Sequence, residues 1–145
     1  VCWYASCRML YKWSQAAGKS GMINPHDDDG FRKRFETNGD WYSGDNKFMA
    51  DTLNMKKVAS LSMDYDSLAT FMSVHGPIFT SVQKNWSGNN YAHAVVIAGV
   101  ADTGVFIHDP MPLHQSSQVW LTWGQINKAL AGVADVANPQ FLTAI

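Results

Sequence analysis

The stretch YAHAVVIAGVADTGVFIHDP, residues 91–110, decides the fold class of this chain. Two apolar segments, Tyr91–Val100 and Val105–Pro110, flank the short polar sequence Ala101–Gly104. Apolar residues at successive positions of the first segment predict a strand that is buried between two layers. Because the sequence between the segments is typical of a tight turn, the whole stretch predicts an antiparallel β-hairpin.

Further strands and helices are predicted on both sides of this hairpin. Apolar runs predict three more strands, at Pro77–Gln83, Gln118–Trp123 and Phe141–Ile145. Apolar periodicity and capping residues predict helices at Cys2–Ala17, Asp45–Asn54, Asp66–Val74 and Gln125–Val133. Residues 22–44 are rich in Gly, Asp, Asn and Pro and are expected to form a loop. Because helices come first and an antiparallel sheet follows, the chain is predicted to have an α+β fold.

Length and charge narrow the class of protein. The 145 residues carry a net charge of −1, and 46% of them are hydrophobic. This length suffices for one domain with its own core, so we expect a single domain over residues 1–145. The charge leaves no basic surface for nucleic acid, and no apolar run reaches the length of a membrane span. Since the chain does not start with Met, we expect it to be shortened at its N-terminus or processed.

The two cysteines differ in their suitability as a nucleophile. On the predicted first helix, Cys2 and Cys7 lie about 140° apart around the axis, so a disulfide between them would break the helix. A thiol ionises poorly at neutral pH because its ordinary pKa is about 8.5. Cys2 lies where the helix begins, and the helix dipole favours a thiolate there. Cys7 lies one turn further in and is the better candidate for the core.

His93 and Asp109 are the candidate partners of Cys2. His93 lies near the start of a strand, next to the polar loop at residues 85–91, so it can be both rigid and exposed to a cleft. The hairpin brings the far ends of its two strands together, which lets Asp109 accept a hydrogen bond from one imidazole nitrogen. The three residues predict a nucleophile, a base and a group that orients the base. A core histidine and an ordinary Asp-Pro turn are the alternatives.

No metal site or cofactor is predicted. The acidic run Asp27–Asp29 lacks the spaced acidic residues and the distal Glu of a calcium loop, so we expect a solvated turn. A site made of His93, His108 and Asp109 is disfavoured, because adjacent strand residues point to opposite faces.

Three short motifs of the chain resemble those of a known family. VCWYAS (1–6) resembles the Cys-Trp segment of papain-like cysteine peptidases, in which the nucleophile opens a long helix. HAVVIAGV (93–100) followed by FIHDP (106–110) is similar to bacterial C39-like peptidases and related secreted effector proteases, which have Asp-Pro where papain has Asn. HGPIFTSV (75–82) is similar to the strand that precedes the His strand in that group. The resemblance implies a papain-like fold whose nucleophile-bearing helix packs against an antiparallel sheet.

The resemblance also implies an activity and roles for three residues. The protein would be a cysteine peptidase with Cys2 as nucleophile, His93 as general base and acid, and Asp109 as the residue that orients His93. The backbone N–H of Cys2 would form half of the oxyanion hole. The family normally supplies a Gln side chain from a few residues before the Cys. Only Val1 precedes Cys2 here, so the identity of the second hydrogen-bond donor of the oxyanion hole stays open.

Substrate and partners follow from the same resemblance. It implies a protein or peptide substrate and an effector or toxin domain that is secreted or delivered into a target cell. A cognate immunity or inhibitor protein is then expected in the producing cell. The candidate substrate-contacting residues are aromatic, and loop anchoring is the alternative for them: Trp3, Trp41, Tyr42 and Trp86.

Three other functions are open on the same residues. Transglutaminases and arylamine acetyltransferases carry out acyl transfer with a Cys-His-Asp trio. An N-terminal-nucleophile hydrolase would require removal of Val1. A binding module without catalysis would keep Cys2 buried under Trp3 and Tyr4. A thiol with a low pKa would separate the enzymes from the binding module.

Overall fold

The computed structural model describes residues 2–37, 45–86, 88–110, 117–135 and 137–145. Its helices are α1 (Cys2–Ala16), α2 (Asp29–Thr37), α3 (Asn46–Leu53), α4 (Tyr65–His75) and α5 (Trp123–Ala131). Its strands are β1 (Lys56–Val58), β2 (Ile78–Lys84), β3 (Tyr91–Ala101), β4 (Gly104–Asp109), β5 (Ser117–Thr122) and β6 (Phe141–Thr143). The predicted α+β class is confirmed, and the predicted elements are present with small shifts at their ends.

All six strands form one antiparallel sheet in the order β1-β6-β2-β3-β4-β5. The predicted hairpin of β3 and β4 closes at the pair Ala101 and Gly104. Successive β3 residues face different apolar clusters: Val96 packs with α1 and α3, whereas Ile97 packs with α4 and α5. The sheet is therefore covered on both faces, as the apolar pattern of β3 predicts.

The loop prediction for residues 22–44 is wrong over residues 29–37, which form α2. Residues 22–28 form turns and irregular backbone as predicted, and residues 38–44 lie outside the described residues. The carboxylate of Asp28 accepts a hydrogen bond from the backbone N–H of Phe31 at 2.8 Å, which satisfies an amide at the helix start. Phe31 is fully buried, with its ring centroid 5.1 Å from that of Trp3. A cap and one buried aromatic residue thus hold a helix whose other residues are mostly polar, and part of the acidic run has a structural role.

Strand β1 was not predicted. Its two lysines are exposed and Val58 is only partly buried, so it has no apolar alternation. It forms because Lys56–Val58 pairs with β6 at the edge of the sheet. Pairing with a neighbour, not local sequence, decides this strand.

Helix α4 begins and ends as its flanking residues predict. The Asp64 side chain accepts a hydrogen bond from the backbone N–H of Ser67, and Gly76 follows the helix with φ of 77°. In the described part of the chain, no helix combines the length and apolar character needed to cross a bilayer.

Gly104 allows β4 to approach β5 closely. A Cβ atom at this position would overlap the backbone oxygen of Leu121. We expect Gly104→Ala to lower the free energy of unfolding by about 1–3 kcal/mol, because the two backbones must move apart. Urea denaturation measures this change, with Gly124→Ala as the control. Among the described residues, a Cβ at Gly124 meets only Thr122 Oγ1, at 3.9 Å. A Gly104→Ala variant as stable as the parent would contradict the packing.

Candidate active site

Cys2 is the first residue of α1 and is partly buried. The helix is held against the sheet by buried residues on one side, among them Trp3 and Leu10. Its contacts with β3 bring its first turn close to the strand that carries His93. The unpaired amides of the first turn and the positive end of the helix dipole favour negative charge at this point.

His93 and Asp109 form a buried hydrogen-bonded pair. Nε2 of His93 lies 2.6 Å from Oδ1 of Asp109, and both side chains are 1% exposed. The side chain of His93 also forms a hydrogen bond with the thiol of Cys2. Because Nε2 is engaged by the carboxylate, Nδ1 is the ring nitrogen left for Sγ. The structure thus brings together the three residues that were predicted as candidates.

A bulge in β3 puts His93 and Asp109 on the same face of the sheet. Gly99 pairs with Phe106, but Ile97 pairs with Ile107, so β3 contains one extra residue between these pairs. A one-residue shift of register exchanges the faces on which paired side chains lie.

The register of β3 and β4 shows how this bulge affects His93 and Asp109. Continued beyond the pair of Val96 with His108, the register brings Asp109 level with Val95. Val95 is two residues from His93 and shares its face. Without the bulge, Asp109 would be level with Val96 and would point away from His93.

The surroundings shift the pKa values of Cys2 and His93 towards an ion pair. Burial opposes ionisation of Cys2, but its hydrogen bond to His93, the charge of His93 and a backbone hydrogen bond from Ala94 outweigh burial and lower its pKa. Burial likewise opposes the charged form of His93, but hydrogen bonds to Asp109 and Cys2 raise its pKa overall. A more acidic thiol beside a more basic imidazole favours thiolate and imidazolium.

Cys7 has the opposite environment. It is completely buried, and its Sγ lies 3.1 Å from Sδ of Met49. Burial, with a smaller effect from Cys2, raises the pKa of Cys7 far above its ordinary value. Cys7 is therefore a neutral core residue, as its place on the helix predicts.

Two residues that were not predicted as partners hold the other oxygen of Asp109. Nζ of Lys84 lies 2.7 Å from Oδ2 of Asp109, and Nε1 of Trp86 donates a hydrogen bond to the same oxygen at 3.2 Å. A signal for Lys84 was present in the sequence, since alternation along β2 puts it on the same side as the fully buried Val82. A lysine at a strand end is more often exposed, so this alternation alone does not predict its burial.

The aromatic residues predicted to contact substrate lie in different surroundings. Trp86 is 9% exposed and contacts Asp109, so its environment is not that of an open cleft wall. Trp3 is 2% exposed and packs edge-on against Phe31, and it also borders a cavity of about 30 Å³ beside Cys2 and His93. Trp41 and Tyr42 lie outside the described residues. The substrate contacts of all four aromatic residues stay predictions.

The described residues include no group of three or more His, Cys, Asp or Glu side chains that could hold a metal ion. His108 pairs with Val96 and borders a separate groove that is lined by Met9 and Trp13. It therefore does not join His93 and Asp109, in keeping with its opposite direction on β4.

Comparison with known proteins assigns the chain to a family. Residues 1–127 match the family described as papain-like cysteine protease AvrRpt2, and Cys2, His93 and Asp109 lie within this range. No curated protein matches the chain significantly. The resemblance to papain-like cysteine peptidases of the bacterial effector branch is confirmed. The match covers most of the chain, and the protein belongs to the AvrRpt2 family of papain-like cysteine proteases.

Proposed function

We propose that this cysteine protease hydrolyses a peptide bond of a protein substrate with Cys2 as nucleophile, His93 as base and acid, and Asp109 as the residue that orients His93. Residues 1–145 would act as one catalytic domain. The observation that carries the proposal is the His93–Asp109 pair at 2.6 Å, hydrogen bonded through His93 to a thiol at the start of a helix. A nucleophile, a base and an orienting acceptor within reach of each other are what acyl transfer to a thiol requires.

Acylation begins from the thiolate of Cys2 and the imidazolium of His93. Sγ attacks the carbonyl carbon of the scissile bond, and the carbonyl oxygen becomes an oxyanion. The backbone N–H of Cys2 at the start of α1 donates a hydrogen bond to that oxygen. The C–N bond then breaks, His93 gives its proton to the leaving amine, and a thioester joins the acyl group to Cys2.

Deacylation returns the site to its first state. Neutral His93 takes a proton from water, whose oxygen attacks the thioester carbon. The C–S bond breaks, the acid product leaves, and thiolate and imidazolium are restored. Asp109 stays ionised throughout and stabilises the imidazolium, since its Oδ1 accepts the hydrogen bond from Nε2.

The proposed setting is that of a bacterial effector or toxin domain that is secreted or delivered into a target cell. Membership of an effector protease family supports it. The substrate is then a protein of that cell, and the producing cell holds a cognate inhibitor protein. New N-termini in a target-cell lysate, generated by the parent but not by Cys2→Ala, would identify the substrate. A lysate with no new N-termini would count against this setting.

Alkylation with iodoacetamide tests the ion pair. We expect Cys2 to react readily at about pH 5–6, because its pKa is lowered, while Cys7 stays unmodified in the folded protein. His93→Ala should remove the reactivity at low pH and leave Cys2 reactive only above about pH 8. Peptide mass spectrometry over a series of pH values gives the rates for each thiol.

The matched control is His75→Ala, since His75 lies at the end of α4 and contacts Phe71. It should leave the alkylation profile of Cys2 unchanged. If Cys2 of the parent reacts only above about pH 8, it is an ordinary cysteine and the proposed roles are wrong.

A further inference from the structure

Lys84 is a buried cation that the reaction described above does not use. Its side chain is 5% exposed, and its Nζ lies 2.7 Å from Oδ2 of Asp109. The same ammonium group makes cation–π contacts with Trp86 and Tyr91, whose ring centroids are 5.6 and 5.8 Å from Nζ. A lysine is almost never buried without a partner, because desolvation of its charge is costly.

An exposed ion pair in the same protein provides a comparison for the buried Lys84–Asp109 pair. Nζ of Lys57 lies 2.6 Å from Oδ1 of Asp51, but these side chains are 42% and 46% exposed. Solvent screens such a pair, and it contributes little. The Lys84–Asp109 pair has nearly the same separation without that screening.

We propose that Lys84 is a positioning residue of the active site, which holds Asp109 in place and supplies the positive charge that lets Cys2 and His93 coexist as thiolate and imidazolium. This inference rests on the proposed function of Cys2, His93 and Asp109.

Contacts on both carboxylate oxygens fix the orientation of Asp109. Oδ1 is engaged by His93, and Oδ2 is engaged by Lys84 and by the indole N–H of Trp86. The terminal torsion of an aspartate is broad and is restrained only by such contacts. With both oxygens engaged, the carboxylate cannot turn away from Nε2, and Nδ1 stays directed at Cys2.

The ammonium group of Lys84 also balances the charge of the cluster. Lys84 and His93 are positive and Asp109 and Cys2 are negative in the reactive state, so their charges sum to zero. Without the ammonium group, the thiolate state would carry one uncompensated negative charge in a largely buried cluster. Protonation of Cys2 would remove that charge, so loss of Lys84 favours the unreactive thiol.

Two other titratable groups lie near the cluster. The ring of Tyr91 contacts His93 edge-on, with centroids 5.5 Å apart. Cys7 lies further along α1, and burial raises its pKa so that it stays neutral. Lys84 is thus the group on β2 whose charge can balance Asp109.

The test compares the pH dependence of Cys2 alkylation by iodoacetamide in the parent, Lys84→Met, Lys84→Arg and Lys57→Met. Lys84→Met keeps an unbranched apolar stem and removes the charge. The acid limb is the pH range over which the rate of Cys2 alkylation rises as the thiol ionises. We expect the acid limb of Lys84→Met to move up by about one pH unit or more, with the alkylation rate at high pH unchanged. Lys84→Arg should restore the parent profile, and Lys57→Met should match the parent. Loss of packing alone would not move a pH profile in this way.

The outcomes separate this inference from the proposed function. If the parent lacks reactivity at low pH, the proposed function itself is wrong. If the parent reacts at low pH and folded Lys84→Met has the same acid limb, only the role of Lys84 is overturned. If circular dichroism shows that Lys84→Met is unfolded, Lys84→Gln takes its place with the same expected shift. An acid limb that moves up in folded Lys84→Arg as far as in the uncharged variant would also overturn the role, because Lys84→Arg keeps the positive charge.

Discussion

Cys2→Ser is expected to lower the rate of peptide-bond hydrolysis by about 10⁴-fold or more, which is typical for loss of a catalytic nucleophile. A serine hydroxyl is much less acidic than a thiol, so His93 cannot hold it as an anion in the ground state. The structure offers no reason for the fold to change, since Cys2 is partly buried at the first position of α1 and serine is similar in size. Progress curves on a protein that the parent cleaves in a target-cell lysate give the rate, and urea denaturation gives the stability.

Cys7→Ala is the matched control, because both cysteines lie on α1. Cys7 is completely buried against Met49, so this change should cost about 1 kcal/mol of stability through lost packing. It should leave the rate near that of the parent at a temperature where the variant is folded. The proposed nucleophile would be wrong if Cys2→Ser retained most of the activity, or if Cys7→Ala removed it in a folded protein.

Asp109→Ala is expected to have the largest effect on stability, about 3–5 kcal/mol, because removal of one partner leaves a buried charge uncompensated. That charge is Lys84, whose side chain is 5% exposed and whose Nζ is paired with Oδ2. Trp86 would also lose the acceptor of its indole N–H. Urea denaturation measures the loss. Asp51→Ala is the control and should change stability little, because its lysine partners are exposed.

Asp109→Asn separates charge from hydrogen bonding at the same position. The amide oxygen can still accept from Nε2 of His93, so this variant should unfold less readily than Asp109→Ala. Its activity should fall by about 10²–10⁴-fold, because a neutral amide stabilises the imidazolium poorly.

The sign of the pH effect follows from the raised pKa of His93, to which Asp109 contributes by hydrogen bond and charge. In Asp109→Asn that pKa falls, the imidazolium is lost at lower pH, and the alkaline limb of the pH–rate profile moves down. An unchanged alkaline limb, or an Asp109→Ala variant as stable as the parent, would contradict the proposed arrangement.

Local sequence determined much of this protein. The hairpin of β3 and β4, the α1 helix with Cys2 at its start and the α+β class follow from apolar periodicity and turn residues, which act over a few positions. The contrast between Cys2 and Cys7 also follows from position along one helix. The family resemblance rests on short motifs of the same kind, and the family match over residues 1–127 confirms it.

Contacts between distant segments decided the rest. Helix α2 depends on burial of Phe31 against Trp3, and β1 depends on its pairing with β6. The bulge between Ile97 and Gly99 sets whether Asp109 shares a face with His93, because side chains alternate with a period of two and one extra residue reverses them. Lys84 pairs with Asp109 because both side chains are buried together. This burial depends on the whole fold, and no short stretch of sequence encodes it.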